Sequence, residues 1–271
     1  MRIGAVNYLN SKPLVYGLDT LAPQVRVTYD LPSRLADSLT AGRLDVALIP
    51  SVEFFRTPGS MIVSDACVAC RGPVLSVKLH FRVPPAEVRS VALDEGSRTS
   101  AALTRILLAE LHDVRPQWEP LPIGCGLDTT QADAVLLIGD RAIAEDLPAE
   151  EFVEIWDLGE RWTNWTGLPF VFAMWIARAG VDVGDIATEL AAARDNGLAR
   201  LREIAEREGP LVGVSSKLAT AYFRDNLHFV LGTEERTGLE RFHLLCRKHG
   251  LAPAGSTLTV PAAGVPSATG K

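Results

Sequence analysis

The chain has 271 residues, of which 47% are hydrophobic and 22% charged, with a formal net charge of −6 and four cysteines. This composition is that of an ordinary globular protein of one or two domains, and the negative charge argues against non-specific nucleic-acid binding. No apolar run reaches the ~18 residues that cross a membrane, and the N-terminus has no secretory-signal pattern. We therefore expect a cytoplasmic protein with reduced cysteines and no membrane partner.

Strand and helix patterns alternate over the first part of the chain. The predicted elements are strands at 2–6, 25–29, 45–49, 61–69 and 75–81 and a helix at 32–39. The run at 45–49 is apolar throughout, as in a strand that is covered on both faces. The alternation predicts a parallel sheet with helices on both of its sides.

A second cycle begins at the Pro84-Pro85 pair, which we interpret as a domain boundary. Its predicted elements are strands at 88–93, 118–121 and 134–138 and a helix at 101–111. A strong apolar strand at 170–176 is then followed by predicted helices at 185–208, 216–231 and 237–249. The tail from residue 251 is rich in Pro, Gly, Ala, Ser and Thr and is predicted to lie loosely on the surface.

These patterns predict an α/β protein with two lobes. Lobe one would contain residues 1–83 and 175–271, and lobe two would be an insert of residues 84–174. Two crossings between the lobes would form a hinge. A ligand cleft would lie where the carboxyl ends of strands from both lobes face each other.

Hydroxyl-bearing residues stand where two predicted strands end. Residues 97–100 (Ser-Arg-Thr-Ser) precede the helix at 101–111, and residues 10–11 (Asn-Ser) follow the first strand. The N–H groups of a first helical turn have no partner within the helix, and the helix dipole is positive there, so such positions bind anions. We therefore predict a small ligand with more than one carboxylate, although the same hydroxyls would also serve as plain helix caps.

Several motifs of the chain match one known family in order. They are VNYLNSKPL at 6–14, PSRLAD at 32–37, DVALIPS at 45–51, GPVLSV at 72–77, DEGSRTS at 94–100, LIGDRA at 137–142 and WTGLPFVFA at 165–173. With them, the chain resembles the chorismate dehydratase family of menaquinone biosynthesis from residue 1 to about residue 245.

The resemblance implies a fold, an activity and a substrate. The fold would be that of type II periplasmic binding proteins, with a ligand cleft between two lobes. The activity would be that of a hydro-lyase, which removes water from the dicarboxylate chorismate to give 3-[(1-carboxyvinyl)oxy]benzoate at the opening of the futalosine route. No metal, nucleotide or redox cofactor is implied, and the sequence contains no phosphate-binding loop or metalloprotease motif.

Twelve residues form the predicted site. Asn10 and Ser11 are predicted as catalytic, because an Asn side chain donates and accepts hydrogen bonds and could orient the leaving hydroxyl. The predicted substrate-binding residues are Ser51, Ser76, Ser97, Arg98, Thr99, Ser100, Asp140, Arg141, Thr166 and Gly167.

Structural alternatives remain open for several of these residues. Arg98 could pair with a ligand carboxylate or extend into solvent, and Asp140 could cap a helix or direct Arg141 toward the ligand. Ser51 could cap its short helix, and Ser76 could be a buried hydroxyl bonded to the backbone.

No proton acceptor is evident among the acidic and histidine residues, with Asp94 and Glu95 only weak candidates. One hypothesis is that the enolpyruvyl carboxylate of chorismate itself takes the proton, since binding enforces their proximity. Two alternative functions are a 1,4-dihydroxy-6-naphthoate synthase of the same pathway and a non-catalytic carboxylate-binding protein. The sequence carries no indication of an oligomeric state.

Overall fold

Two β-sheets form the framework of the protein in the computed structural model, which describes residues 1–144 and 151–258. The strands are β1 (Arg2–Val6), β2 (Arg26–Asp30), β3 (Val46–Pro50), β4 (Met61–Cys70), β5 (Val77–Phe81), β6 (Ser90–Asp94), β7 (Gln117–Leu121), β8 (Ala134–Ile138), β9 (Glu154–Asp157), β10 (Phe170–Ala177) and β11 (His228–Val230). The α-helices are α1 (Leu18–Leu21), α2 (Pro32–Thr40), α3 (Ser51–Arg56), α4 (Thr99–His112), α5 (Asp140–Ala144), α6 (Leu158–Thr166), α7 (Ile186–Leu198), α8 (Leu201–Glu208), α9 (Ser216–Ala221) and α10 (Thr233–Lys248).

The first sheet has the strand order β11-β4-β10-β3-β1-β2. β1 lies parallel to β2 and β3, whereas β10 is antiparallel to β3 and β4. The sheet is therefore mixed, and the prediction of a parallel sheet is correct only for β1, β2 and β3. The apolar run predicted at 45–49 corresponds to β3, which is buried at every position between β1 and β10.

The second sheet has the strand order β7-β6-β8-β5-β9. Its centre is parallel, with β6 between β7 and β8, while β5 is antiparallel to β8 and β9. We call the first sheet and its helices lobe one and the second sheet and its helices lobe two. This arrangement gives the α/β fold with two lobes that the sequence predicts.

The crossings between the lobes lie earlier in the chain than predicted. β5 belongs to the second sheet although residues 75–81 were assigned to lobe one, and β10 belongs to the first sheet from residue 170 onward. The crossing segments are therefore 71–76 and 167–169. The boundary predicted at Pro84-Pro85 is wrong, because Pro85 opens a 3₁₀ turn inside lobe two, where a proline at a first helical position is equally suited.

The C-terminal region is less uniformly helical than predicted. The helix expected at 216–231 ends early, since α9 passes into the π-helical turn Tyr222–Asn226 and then into β11. Among the described residues, no helix combines the length and the apolar character that crossing a bilayer requires.

The described part of the predicted tail packs against lobe one. Arg56 Nε donates to the Leu251 carbonyl oxygen at 2.8 Å, and His243 Nε2 lies 2.7 Å from Ser256 Oγ. Ala252 is buried. Leu251, Ala252 and Ser256 thus contact lobe one, whereas residues 253–255 and 257 are exposed. Residues 259–271 lie outside the described part of the chain, so a loose tail stays a prediction.

Candidate active site

A cavity lies between the two lobes, and we call it the interlobe cavity; together with the space open to solvent at its mouth, its empty volume is about 530 Å³. Its walls are formed by the carboxyl ends of β1 and β3 from lobe one, by those of β6 and β8 from lobe two, and by the crossing segment 71–76. The cavity therefore lies where the order of the predicted strands places a cleft.

The start of α4 presents hydrogen-bond donors to the interlobe cavity. Ser97, Arg98, Thr99 and Ser100 all line it. The backbone N–H groups of Arg98, Thr99 and Ser100 have no acceptor within residues 1–144 and 151–258, and neither do the hydroxyls of Ser97 and Ser100. Unpaired donors at the positive end of a helix dipole are an arrangement that suits an anion, and its role here stays a prediction.

The Thr99 and Ser51 hydroxyls serve a different purpose, because they join the two lobes. Thr99 Oγ1 accepts a hydrogen bond from the Val52 N–H at 3.3 Å and lies 3.3 Å from Ser51 Oγ. Ser51 Oγ donates to the Val171 carbonyl oxygen at 2.7 Å and lies outside the cavity lining. Ser51 is thus a buried hydroxyl bonded to the backbone, and it does not cap its short helix, since α3 has no side-chain cap hydrogen bond.

The Arg98 guanidinium is bound by two carboxylates of lobe one. Nη2 lies 2.6 Å from Asp37 Oδ1, and Nη1 lies 3.1 Å from Glu53 Oε2. Part of Arg98 lines the cavity, but in this arrangement its charge is directed to α2 and α3 and not to a ligand. The pairing therefore differs from both alternatives that the sequence left open.

The loop after β1 contributes Tyr8 and Asn10 to the lining of the cavity. Ser11, the second residue predicted as catalytic, is fully buried, and its hydroxyl contacts the carbonyl oxygens of Val6 at 2.5 Å and Tyr8 at 2.9 Å. Ser11 therefore stabilises the 3₁₀ turn Leu9–Val15 and lies outside the cavity lining.

Tyr8 is a cavity residue that the sequence reasoning missed. Its hydroxyl has no hydrogen-bond partner in the described part of the chain, and its ring packs against Gly139 of lobe two. A Cβ atom at Gly139 would lie 2.9 Å from the Tyr8 ring, and Gly139 also has a φ of +71°. Burial, together with the charge of Asp94, raises the pKa of Tyr8, so its hydroxyl is a neutral donor.

Asp140 and Arg141 support the cavity from outside its lining. Asp140 Oδ1 accepts a hydrogen bond from the Leu9 N–H at 2.9 Å, and burial raises the pKa of Asp140 to about 6. Arg141 contacts Asp94 and donates to the Cys125 carbonyl oxygen at 2.6 Å. The aspartate that holds Arg141 is therefore Asp94, and neither Asp140 nor Arg141 reaches the cavity.

The remaining predicted residues lie in or beside the crossing segments. Ser76 lines the cavity, and its Oγ accepts a hydrogen bond from the Tyr222 hydroxyl at 2.8 Å. Thr166 Oγ1 donates to the Trp162 carbonyl oxygen at 2.9 Å, and Gly167 ends α6 with a φ of +71°. Thr166 and Gly167 thus terminate a helix and lie outside the cavity lining.

A family model described as menaquinone biosynthesis matches residues 1–248 of the chain. The chain belongs to this menaquinone-biosynthesis family. The match covers both sheets and the interlobe cavity, and it confirms the resemblance found in the sequence motifs.

Two curated relatives are similar to this member of the menaquinone-biosynthesis family. A chorismate dehydratase of Thermus thermophilus is 33% identical over 256 residues, which cover 89% of this chain and 93% of the relative. A chorismate dehydratase of Campylobacter jejuni is 29% identical over 179 residues, which cover 64% of this chain and 66% of that relative.

Solved structures share the fold of this member of the menaquinone-biosynthesis family at low sequence identity. Protein AF1704 from Archaeoglobus fulgidus matches with a TM-score of 0.68 and 13% identity, covering 92% of this chain and 97% of that one. The periplasmic aliphatic sulphonate binding protein SsuA from Escherichia coli matches with a TM-score of 0.61 and 17% identity, covering 93% of each chain. These likenesses confirm the predicted periplasmic-binding-protein-like fold.

Proposed function

We propose that this chain catalyses the dehydration of chorismate to 3-[(1-carboxyvinyl)oxy]benzoate, as a hydro-lyase of menaquinone biosynthesis. Membership of the family and the similarity to the chorismate dehydratase of Thermus thermophilus support this reaction. The structural observation that carries it is the unpaired donor set at the start of α4, which lines the interlobe cavity together with the loop after β1.

The donors suit the charges of the substrate. Chorismate has a ring carboxylate, an enolpyruvyl carboxylate and a ring hydroxyl. The N–H groups at the start of α4 and the Ser97 and Ser100 hydroxyls would bind one carboxylate. Asn10, which also lines the cavity, would contact the ring hydroxyl, and the neutral Tyr8 hydroxyl supplies a further donor.

The elimination proceeds in two steps in this proposal. A base removes the proton from the ring carbon that bears the enolpyruvyl ether, and the electron pair moves through the ring toward the ring carboxylate. That pair then returns to form the aromatic ring as the hydroxyl leaves with a proton as water. Donors aimed at the ring carboxylate stabilise the developing charge, a contribution of ~3–4 kcal/mol for a well-placed donor.

The enolpyruvyl carboxylate is our choice for the base. Among the described residues that line the interlobe cavity, there is no Asp, Glu or His side chain. The enolpyruvyl carboxylate is attached through its ether to the carbon that loses the proton, so binding one conformer of the substrate brings the two together at high effective concentration. The protein then contributes orientation and charge stabilisation.

The cellular context follows from the reaction. The partner of the chain would be a small dicarboxylate. A cytoplasmic location would suit an enzyme that belongs to a biosynthetic family.

Turnover of chorismate tests the proposal. The purified protein is incubated with chorismate, and the mixture is analysed by liquid chromatography with mass detection against a sample without protein. We expect many equivalents of a product lighter than chorismate by one water. Stoichiometric binding without product would instead indicate a carboxylate-binding protein, and absence of both would reject this substrate.

A further inference from the structure

Tyr222 lies directly behind the wall of the interlobe cavity. It is 1% exposed and begins the π-helical turn Tyr222–Asn226. Its hydroxyl donates a hydrogen bond at 2.8 Å to Oγ of Ser76, a residue that lines the cavity. One buried hydroxyl of lobe one therefore holds a side chain of the crossing segment 71–76.

The direction of this hydrogen bond leaves the Ser76 hydroxyl with a proton to donate. The single proton of the Tyr222 hydroxyl goes to Ser76 Oγ. No acceptor within residues 1–144 and 151–258 receives the Ser76 proton, which is therefore free for the cavity.

The backbone of the crossing segment holds Ser76 at the same point. Leu75 has a φ of +64°, a conformation that is uncommon for a residue with a Cβ atom. The Asp157 carboxylate accepts hydrogen bonds from the Val74 N–H at 2.9 Å and the Leu75 N–H at 2.6 Å. The Ser76 carbonyl oxygen accepts from the Gly139 N–H at 2.9 Å. Main-chain contacts thus fix the position of Ser76, and Tyr222 fixes the direction of its hydroxyl.

We propose that Tyr222 is a positioning residue of the reaction, which orients the Ser76 hydroxyl toward the ring hydroxyl that leaves as water. The inference rests on the proposed function, because the leaving hydroxyl is that of chorismate. The substrate hydroxyl would meet a donor whose direction is set before it binds, so no reorganisation of that donor is needed during the reaction.

The protonation state of Tyr222 fits this role. Burial raises the pKa of the Tyr222 hydroxyl well above its usual value. The hydroxyl therefore stays protonated over the whole pH range of the enzyme, so it acts as a constant donor to Ser76 and takes no proton from the substrate.

A double-mutant cycle tests the role of Tyr222. The variants are Tyr222→Phe, Ser76→Ala and the two combined, and each is characterised by kcat and KM for chorismate and by urea unfolding. Phe keeps the ring and removes only the hydroxyl. The matched control is Tyr16→Phe, which removes a hydroxyl that donates to Glu203 at 2.8 Å outside the cavity.

We expect Tyr222→Phe to lower kcat about tenfold while KM changes less than about twofold, since the lost contact orients a group that acts in the transition state. The double variant should be no slower than Ser76→Ala alone, and Tyr16→Phe should turn over like the wild type. An unchanged kcat in Tyr222→Phe, losses that multiply in the double variant, or an equal loss in Tyr16→Phe would overturn the proposal.

Failure of the proposed function would be recognised separately, because the wild type would then form no product from chorismate. In that case crystal structures of the wild type and Tyr222→Phe decide the role of Tyr222. Rotation or displacement of the Ser76 side chain in the variant would support it. An identical Ser76 side chain in the two structures would overturn it.

Discussion

The Arg98 guanidinium at the start of α4 lies 2.6 Å from the Asp37 carboxylate on α2, and this ion pair spans the cleft between the lobes. Glu53 binds the same guanidinium at 3.1 Å from α3. The residue that stands beside the candidate carboxylate site therefore also holds lobe two against lobe one. The segment that would bind a carboxylate in our proposal therefore also carries a contact between the two lobes.

The two carboxylates that bind Arg98 should differ in their contribution to stability. Glu53→Gln should lower the free energy of unfolding by about 1–3 kcal/mol, because it leaves a partly buried charge poorly paired. Asp37→Asn should cost less than about 1 kcal/mol, since the Asp37 side chain is 59% exposed. Urea unfolding measures both. Glu206→Gln, which breaks an exposed pair with Arg202, is the control, and a larger loss for Asp37→Asn would contradict this ranking.

Gly139 should tolerate no side chain, because two separate costs coincide there. Gly139 and Gly167 have the same φ of +71°, but a Cβ atom at Gly167 would meet nothing within 4 Å, whereas one at Gly139 would lie 2.9 Å from the Tyr8 ring. Gly167→Ala therefore measures the backbone cost alone, about 1 kcal/mol. Gly139→Ala should lose about 1–3 kcal/mol more and should slow turnover of chorismate. Equal unfolding free energies for the two variants would show that the lobes do not meet at Tyr8.

Asp140 should make the stability of the protein depend on pH. Burial raises its pKa to about 6 in the folded state, above the value of about 3.9 in an unfolded chain. The folded state thus favours the neutral carboxyl, and this contribution to stability is complete below about pH 4 and is lost as the pH rises through 6.

Asp140→Asn tests that dependence, because the amide oxygen can still accept from the Leu9 N–H while the buried charge is removed. The stability of the variant relative to the wild type should rise by about 2 kcal/mol between pH 4 and pH 8, measured by urea unfolding. The exposed Asp128→Asn variant controls for the loss of one charge. A relative stability that stays constant over this range would contradict the assignment.

Loss of two carboxylates that adjoin cavity residues in the sequence should leave the chemistry intact. Glu95→Gln and Asp140→Asn should each keep kcat for chorismate within about threefold of the wild type, because the substrate supplies the base in our proposal. Removal of a true general base costs about 10²–10⁴-fold. A loss of that size in either variant, with unfolding free energy preserved, would assign the proton transfer to the protein.

The architecture was largely predictable because it depends on apolar periodicity. The run at 45–49 could only be a strand covered on both faces, and the run at 170–176 was equally distinct. The crossings were not predictable, because assignment of β5 and β10 to a sheet depends on long-range pairing. Pro84-Pro85 suggested a boundary there, yet a proline also suits the first position of a helical turn inside a lobe.

Those residues of the candidate site that directly follow the carboxyl end of a strand were predictable from the sequence. The start of α4 and Asn10 reach the cavity because chain direction alone places them there. Whether a serine hydroxyl faces a ligand or the protein depends on its hydrogen-bond partners in the folded chain. Ser11 and Ser51 bond to carbonyl oxygens of the protein. The sequence could not distinguish them from Ser97 and Ser100, which line the cavity. Tyr8 was missed because a lone aromatic in an apolar motif is indistinguishable from a packing residue.

A crystal structure of the protein with chorismate or its benzoate product tests the central claim most directly, namely that donors from both lobes hold one dicarboxylate in the interlobe cavity. We predict one carboxylate within hydrogen-bond distance of the N–H groups of Thr99 and Ser100, with the ring between that site and Asn10. A ligand bound outside the interlobe cavity, or one inside it whose carboxylates make no contact with the start of α4, would contradict the account.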